Sequence, residues 1–135
     1  MLVYTSDSRV LLLRRSEPFD FWQSVTGSLE PGETPAAAAI RELSEETGIK
    51  DKGELVETGT SRRFTIDPRW RARFPPGVAE NIEHEYRLLL ERTVKVDLNT
   101  KEHSEYRWLP LQEAIDTVWS WTNRAALEAL QADLN

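Results

Sequence analysis

Apolar runs alternate along the chain with polar, turn-rich stretches, and their periods predict the elements. SRVLLLRR (8–15) is an unbroken apolar run flanked by polar residues and predicts a buried strand. WQSVTGS (22–28) predicts a short strand that ends in a glycine loop. In EPGETP, Thr34 is placed to cap a helix and Pro35 to open it, and Gly48 is a natural stop, so a helix is predicted to run to about Thr47. Strands are predicted over 54–66, 83–93 and 105–110, with the long loop DPRWRARFPPGVAEN (67–81) between the first two. Beyond Pro110, LQEAIDTVWSWTNRAALEALQ predicts one or two helices, the second capped by Thr122 or Asn123, with Leu127 and Leu130 on a common face. The pattern is that of a mixed sheet with one helix after the glycine loop and another near the C-terminus.

The first helix contains a conflict. Glu42, Glu45 and Glu46 lie three and four positions apart, so they share a face, and like charges at that spacing repel. A solvated acidic face is one reading. Zinc suits the cluster poorly, because zinc favours His and Cys, and the two histidines, His84 and His103, lie far along the chain. Magnesium suits it well, because a hard divalent cation takes carboxylate oxygens and shares itself with phosphates.

Composition narrows the classes. A chain of 135 residues with 30% charged positions fits one globular domain, taken as 1–135. Cysteine is absent, which excludes disulfides and thiolate metal sites. An apolar stretch near the ~20 residues of a membrane span is missing, as is a signal-peptide pattern, so a cytoplasmic protein with no membrane partner is expected. The net charge of −6 argues against general nucleic-acid binding, which needs cations to meet phosphates. Against that background, SRRFTIDPRWRAR (61–73) concentrates Arg62, Arg63, Arg69, Arg71 and Arg73. An acidic helix beside an arginine-rich loop fits an anionic ligand gripped through metal on one side and guanidinium on the other. Trp70, set among those arginines, is the tryptophan placed to stack on a ligand ring; the other four are expected in the core.

Gly27, five residues, Glu33, seven residues, then Arg41-Glu42-Leu43-x-Glu45-Glu46-x-Gly48-Ile49 resembles the Nudix hydrolase signature at every position. At about 7% per residue, chance agreement at its seven fixed identities is roughly one in 10⁸ per start site. The resemblance implies an α/β (α+β) fold, an α/β/α sandwich around a mixed sheet, and cleavage of a nucleoside diphosphate linked to another group, with Mg²⁺ as cofactor and Mn²⁺ as substitute. It implies Glu42, Glu45 and Glu46 as metal ligands and Glu45 and Glu46 as catalytic groups. Arg41 is placed to orient a glutamate, Gly27 to permit a tight turn, and Glu33 to cap or to pair with Arg41.

The flanks FWQSVTGSLE (21–30), PPGVAEN (75–81), EHSEYRWL (102–109) and SWTNRAALE (120–128) resemble the bacterial dihydroneopterin triphosphate diphosphatase branch of that family, which acts in folate biosynthesis. That branch releases pyrophosphate and leaves the monophosphate. The resemblance implies substrate contacts at Arg15, Thr26, Phe64, Thr65, Ile66, Asp67 and Ser120. Glu102 it implies as metal ligand, substrate contact and catalytic base. It implies a small-molecule triphosphate as partner and a monomer or weak homodimer. With MLVYTSDS at its start, the first strand is expected to be shortened and to lack a basic contact usual in that branch. A house-cleaning or broader nucleoside triphosphate pyrophosphohydrolase is the alternative on the same fold, and a non-catalytic binding module would require damaged glutamates, which are intact here.

Overall fold

The computed structural model describes residues 1–26, 29–50 and 53–135; Gly27 lies outside them. The elements are β1 (Leu2–Thr5), β2 (Arg9–Arg15), β3 (Phe21–Gln23), α1 (Pro35–Thr47), β4 (Glu54–Thr65), a 3-10 turn (Pro68–Arg73), β5 (Glu80–Leu90), β6 (His103–Pro110), α2 (Leu111–Thr117) and α3 (Trp121–Leu134). The strands form one mixed sheet. β1 lies parallel to β5, while β2 pairs antiparallel with β1, β3 and β6, and β4 antiparallel with β5.

The apolar run of β2 is continuous because helices cover both faces of the sheet, where side chains alternate. Leu2, Val10 and Leu12 point to one side and meet Leu111, Ile115, Leu127 and Leu130 of α2 and α3. Val3, Leu11 and Leu13 point to the other and meet Leu43 of α1, Ile49 and Val96. Leu11, Leu12, Leu13 and Leu127 are fully buried, each stabilising the fold by about 1.5–3 kcal/mol of hydrophobic transfer. The expected sandwich is therefore present. β1 has four residues, and Leu2–Thr5 pairs with Arg87–Leu90 along its whole length and Tyr4 with Val10, which keeps it inside the sheet.

Several boundaries differ from expectation. The strand expected over 22–28 stops at Gln23, because the Ser24 backbone N–H donates instead to Asn123 Oδ1 at 2.8 Å. The strand expected over 83–93 spans 80–90, and part of the loop 67–81 is the 3-10 turn. The N-cap of α3 is Ser120, not Thr122 or Asn123; both of those are buried, Thr122 bonded to Glu83 and Asn123 to Ser24.

Gly53, just before β4, tolerates little extra volume. A Cβ on Gly53 would lie 2.4 Å from the Leu89 carbonyl oxygen, a backbone atom that cannot swing aside. Gly53→Ala is expected to cost about 1–3 kcal/mol, the range for overpacking, measured as a lowered denaturation midpoint; an unchanged midpoint would show that β5 yields freely.

Candidate active site

Helix α1 forms where its caps require. Thr34 Oγ1 accepts the Ala37 N–H at 3.2 Å, Pro35 opens the first turn, and Gly48 closes the last at φ 72° with its N–H on Ser44 O. Packing Ala38, Leu43 and Thr47 against the sheet turns Glu46 inward, leaving it 2% exposed, while Glu42 is half-buried and Glu45 is exposed.

Arg41 relieves much of the like-charge conflict. Its guanidinium forks onto Glu33 at 2.7 and 3.0 Å, and reaches Glu42 at 2.8 Å and Glu45 at 3.2 Å. This bears out the expected partnership with Glu33, whose carboxyl Arg41 holds below its ordinary value. Glu42 is pushed up by burial, against the pull of Arg41.

Glu46 remains the group in conflict. Burial first, then the neighbouring charges of Glu42 and Glu102, push its carboxyl up to about 8. The Thr26 backbone N–H is an opposing partner, and Oε2 is buried without a hydrogen-bond partner among the described residues. In metal-free protein this makes stability depend on pH. The folded value lies above the ordinary 4.5, so the contribution is complete below about 4.5 and is lost as pH rises through about 8. Melting in chelator should thus show Tm falling across that window, and Glu46→Gln should flatten the fall; an equal slope in the variant would contradict the assignment.

The segment after β5 carries the remaining groups to α1. Asp97 N–H donates to Thr47 O at 2.8 Å, and Asn99 N–H to Glu46 O at 3.4 Å. The Asn99 carbonyl then accepts both Glu102 N–H and His103 N–H at 3.1 and 3.0 Å. That turn places a carboxylate oxygen of Glu102 and a ring nitrogen of His103 within 4.8 Å of Glu46. His103 is missing from the sequence expectations: its distance along the chain counted against it, although strand β6 brings it opposite Arg15 on β2. Its adjacency to Glu102 was the available signal. The ring is 1% exposed, burial lowers its proton affinity below the ordinary value, and its Nε2 lies 3.2 Å from Gln23 Nε2.

Arg15 ends β2 half-buried, with Nε donating to Glu17 O at 2.8 Å. Burial and then Arg73 weaken its hold on its proton, while Glu102 and Glu46 strengthen it, so two cations and two acids share this region. Beyond it, an open cavity of roughly 490 Å³ is lined by Phe64, Thr65, Asp67, Arg71, Trp119 and Trp121. Ile66 also borders it, but its side chain is 2% exposed. The Asp67 carboxylate is gripped by Arg69 Nε and Nη2, both at 2.9 Å, which holds it at about 2. Ser120 sits between the two lining tryptophans and bonds Thr122 Oγ1 at 2.7 Å.

Trp70 is not the open ring the sequence suggested. It packs on Phe19, Phe21 and Trp119 at centroid distances of 5.2–5.8 Å, with Arg69 stacked 3.5 Å over Phe19. Trp119 and Trp121, expected in the core, are 44% and 55% exposed. Phe21 joins the two regions, since it pairs with Arg15 across the β2–β3 ladder and contacts Trp119 at 5.5 Å. No helix among the described residues is long and apolar enough to cross a membrane.

The NUDIX domain model matches residues 1–130. This chain belongs to the Nudix family. The Nudix chain is 39% identical over 132 residues to the dihydroneopterin triphosphate diphosphatase of Escherichia coli (strain K12), covering 95% of this chain and 87% of that protein. It is 34% identical to the Haemophilus influenzae protein of the same name, covering 95% and 82%. The solved structure of the E. coli dihydroneopterin triphosphate pyrophosphohydrolase superposes with a TM-score of 0.89 at 39% identity, over 95% of this chain and 89% of that one. Nudix hydrolases generally use divalent metal ions. The residues here fit one: a buried Glu46 carboxylate oxygen without a partner among the described residues lies in a cluster where Glu102 and His103 each offer a ligand atom within 4.8 Å.

Proposed function

We propose that this Nudix chain hydrolyses dihydroneopterin triphosphate to the monophosphate and pyrophosphate, with Mg²⁺ held by Glu42, Glu45, Glu46 and Glu102. The observation that carries the reading is Glu46, buried, with Oε2 lacking a hydrogen-bond partner among the described residues, pressed by Glu42 and Glu102 and within electrostatic reach of Arg15. A bound divalent ion supplies charge neutralisation at the phosphate oxygens and acidifies water. The residues supply the rest. Water adds to one phosphorus, the phosphoanhydride P–O bond breaks, and the water proton passes to a carboxylate among Glu45, Glu46 and Glu102. Arg15 meets the polyphosphate, and Thr26 and Ser120 border the substrate.

The cavity at Phe64–Asp67, walled by Trp119 and Trp121, offers a flat bicyclic ring both apolar surface and polar edges. The near-full-length likeness to relatives that bear that substrate in their names supports a pterin there. Metal and arginines grip what all triphosphates share, so slower release from dATP is expected as well. The test compares pyrophosphate release, with Mg²⁺, from dihydroneopterin triphosphate, dATP and 8-oxo-dGTP. A higher kcat/KM for the pterin supports the reading, and preference for either nucleotide overturns it in favour of a broader triphosphatase.

Arg15→Ala is expected to raise KM more than it lowers kcat, because a phosphate clamp acts mainly through binding. Steady-state kinetics check this, and an unchanged KM removes Arg15 from the site.

A further inference from the structure

The only two nitrogen donors the sequence offers as imidazoles behave differently: His84 is exposed, whereas His103 is buried against two acids. A buried histidine kept for packing alone normally finds hydrogen bonds for both ring nitrogens. Here Gln23 accounts for Nε2, and Nδ1 is buried with no hydrogen-bond partner among the described residues. Glu46 Oε2 is orphaned in the same way, so two of the three groups in the cluster have a buried donor atom awaiting a partner.

The spacing suits a single ion. Donors on opposite sides of an ion with bonds of ~2.1 Å stand ~4.2 Å apart, so a cluster contained within 4.8 Å closes on one ion with a modest contraction. The Gln23 contact also fits. A half-turn of an amide exchanges its oxygen and nitrogen; with Oε1 toward the ring, Nε2–H donates to Gln23 and Nδ1 keeps its lone pair. Metal-bound imidazoles are typically held in this manner by an outer partner on the second nitrogen.

We propose that His103 is a direct ligand of the divalent ion, adding one imidazole nitrogen to the Glu46 and Glu102 carboxylates, so that this site discriminates in favour of Mn²⁺-type transition ions over Mg²⁺. The inference rests on the metal-dependent reading above. Its chemistry is a matter of donor type. Mg²⁺ selects oxygen, while imidazole suits first-row transition ions, so one nitrogen among carboxylates shifts the balance between them. Gln23 is then a positioning residue, fixing the ring through Nε2.

Electron spin echo envelope modulation of Mn²⁺ added to the full, metal-free chain tests this. Directly bound imidazole imprints a ¹⁴N modulation, which is expected in the native protein and should be replaced by a ¹⁵N pattern when histidine alone is ¹⁵N-labelled, with no mutation required. In calorimetric titrations, His103→Gln is expected to reduce the preference for Mn²⁺ over Mg²⁺ by at least ~10-fold, the scale of ligand-shell changes. Mn²⁺ bound without nitrogen modulation overturns the inference and leaves the hydrolytic reading standing, as does an unchanged preference in a folded variant. Failure of the native chain to bind Mn²⁺, together with pyrophosphate release that ignores added metal, overturns both.

Discussion

Exchanging Glu46 for glutamine is expected to lower kcat by at least ~100-fold, the scale seen when an electrostatic catalytic group is removed, while the protein stays folded. The variant is nearly isosteric, and it replaces an acid whose ionisation burial and the neighbours Glu42 and Glu102 oppose by a group that cannot ionise, so the metal-free protein is expected to stay folded. What it removes is the partner for a cation, at a carboxylate whose Oε2 is buried and otherwise unbonded. Turnover and a thermal melt, recorded side by side, check both halves. Near-normal kcat would remove Glu46 from the site.

Arg41→Ala is expected to cost 10- to 100-fold in metal affinity or activity, the usual penalty for deleting a group that orients ligands. One guanidinium spans Glu33, Glu42 and Glu45, and reaches Glu30 at 3.6 Å. Its loss returns the helix to the repulsion its sequence implies and releases the loop carrying Glu33 from α1. Lysine at this position is expected to recover only part, because a single ammonium cannot fork onto Glu33 and also hold Glu42. Calorimetry with Mg²⁺ or Mn²⁺ and steady-state kinetics provide the readout; wild-type values for the alanine variant would show that the acids organise themselves.

Local chemistry made part of this structure legible in the sequence. The limits of α1 follow from Thr34, Pro35 and Gly48, each of which acts on its immediate neighbours, and the observed helix runs Pro35–Thr47 as expected. The run Val10–Leu13 likewise implies cover on both faces, and both core clusters supply it. Failures arise where a partner is remote in sequence. His103 enters the site through the Asn99 turn and the β2–β6 register, neither of which leaves a periodic trace. Trp70 and Trp119 depart from expectation because the 3-10 turn folds Trp70 onto Phe19 and Phe21 and Trp119 joins the same rings, an association between three separate segments. Thr122 and Asn123 have the chemistry of caps, yet Glu83 and Ser24 recruit their side chains first.

Trp119 belongs both to the four-ring cluster and to the cavity wall. An indole in that position meets its ring neighbours edge-on or tilted and is also open to whatever enters beside it. Trp119 is therefore expected to serve as a built-in optical reporter: ligand arrival should change its share of the ultraviolet emission of the five tryptophans without any dye. Rapid mixing could time substrate docking separately from bond cleavage.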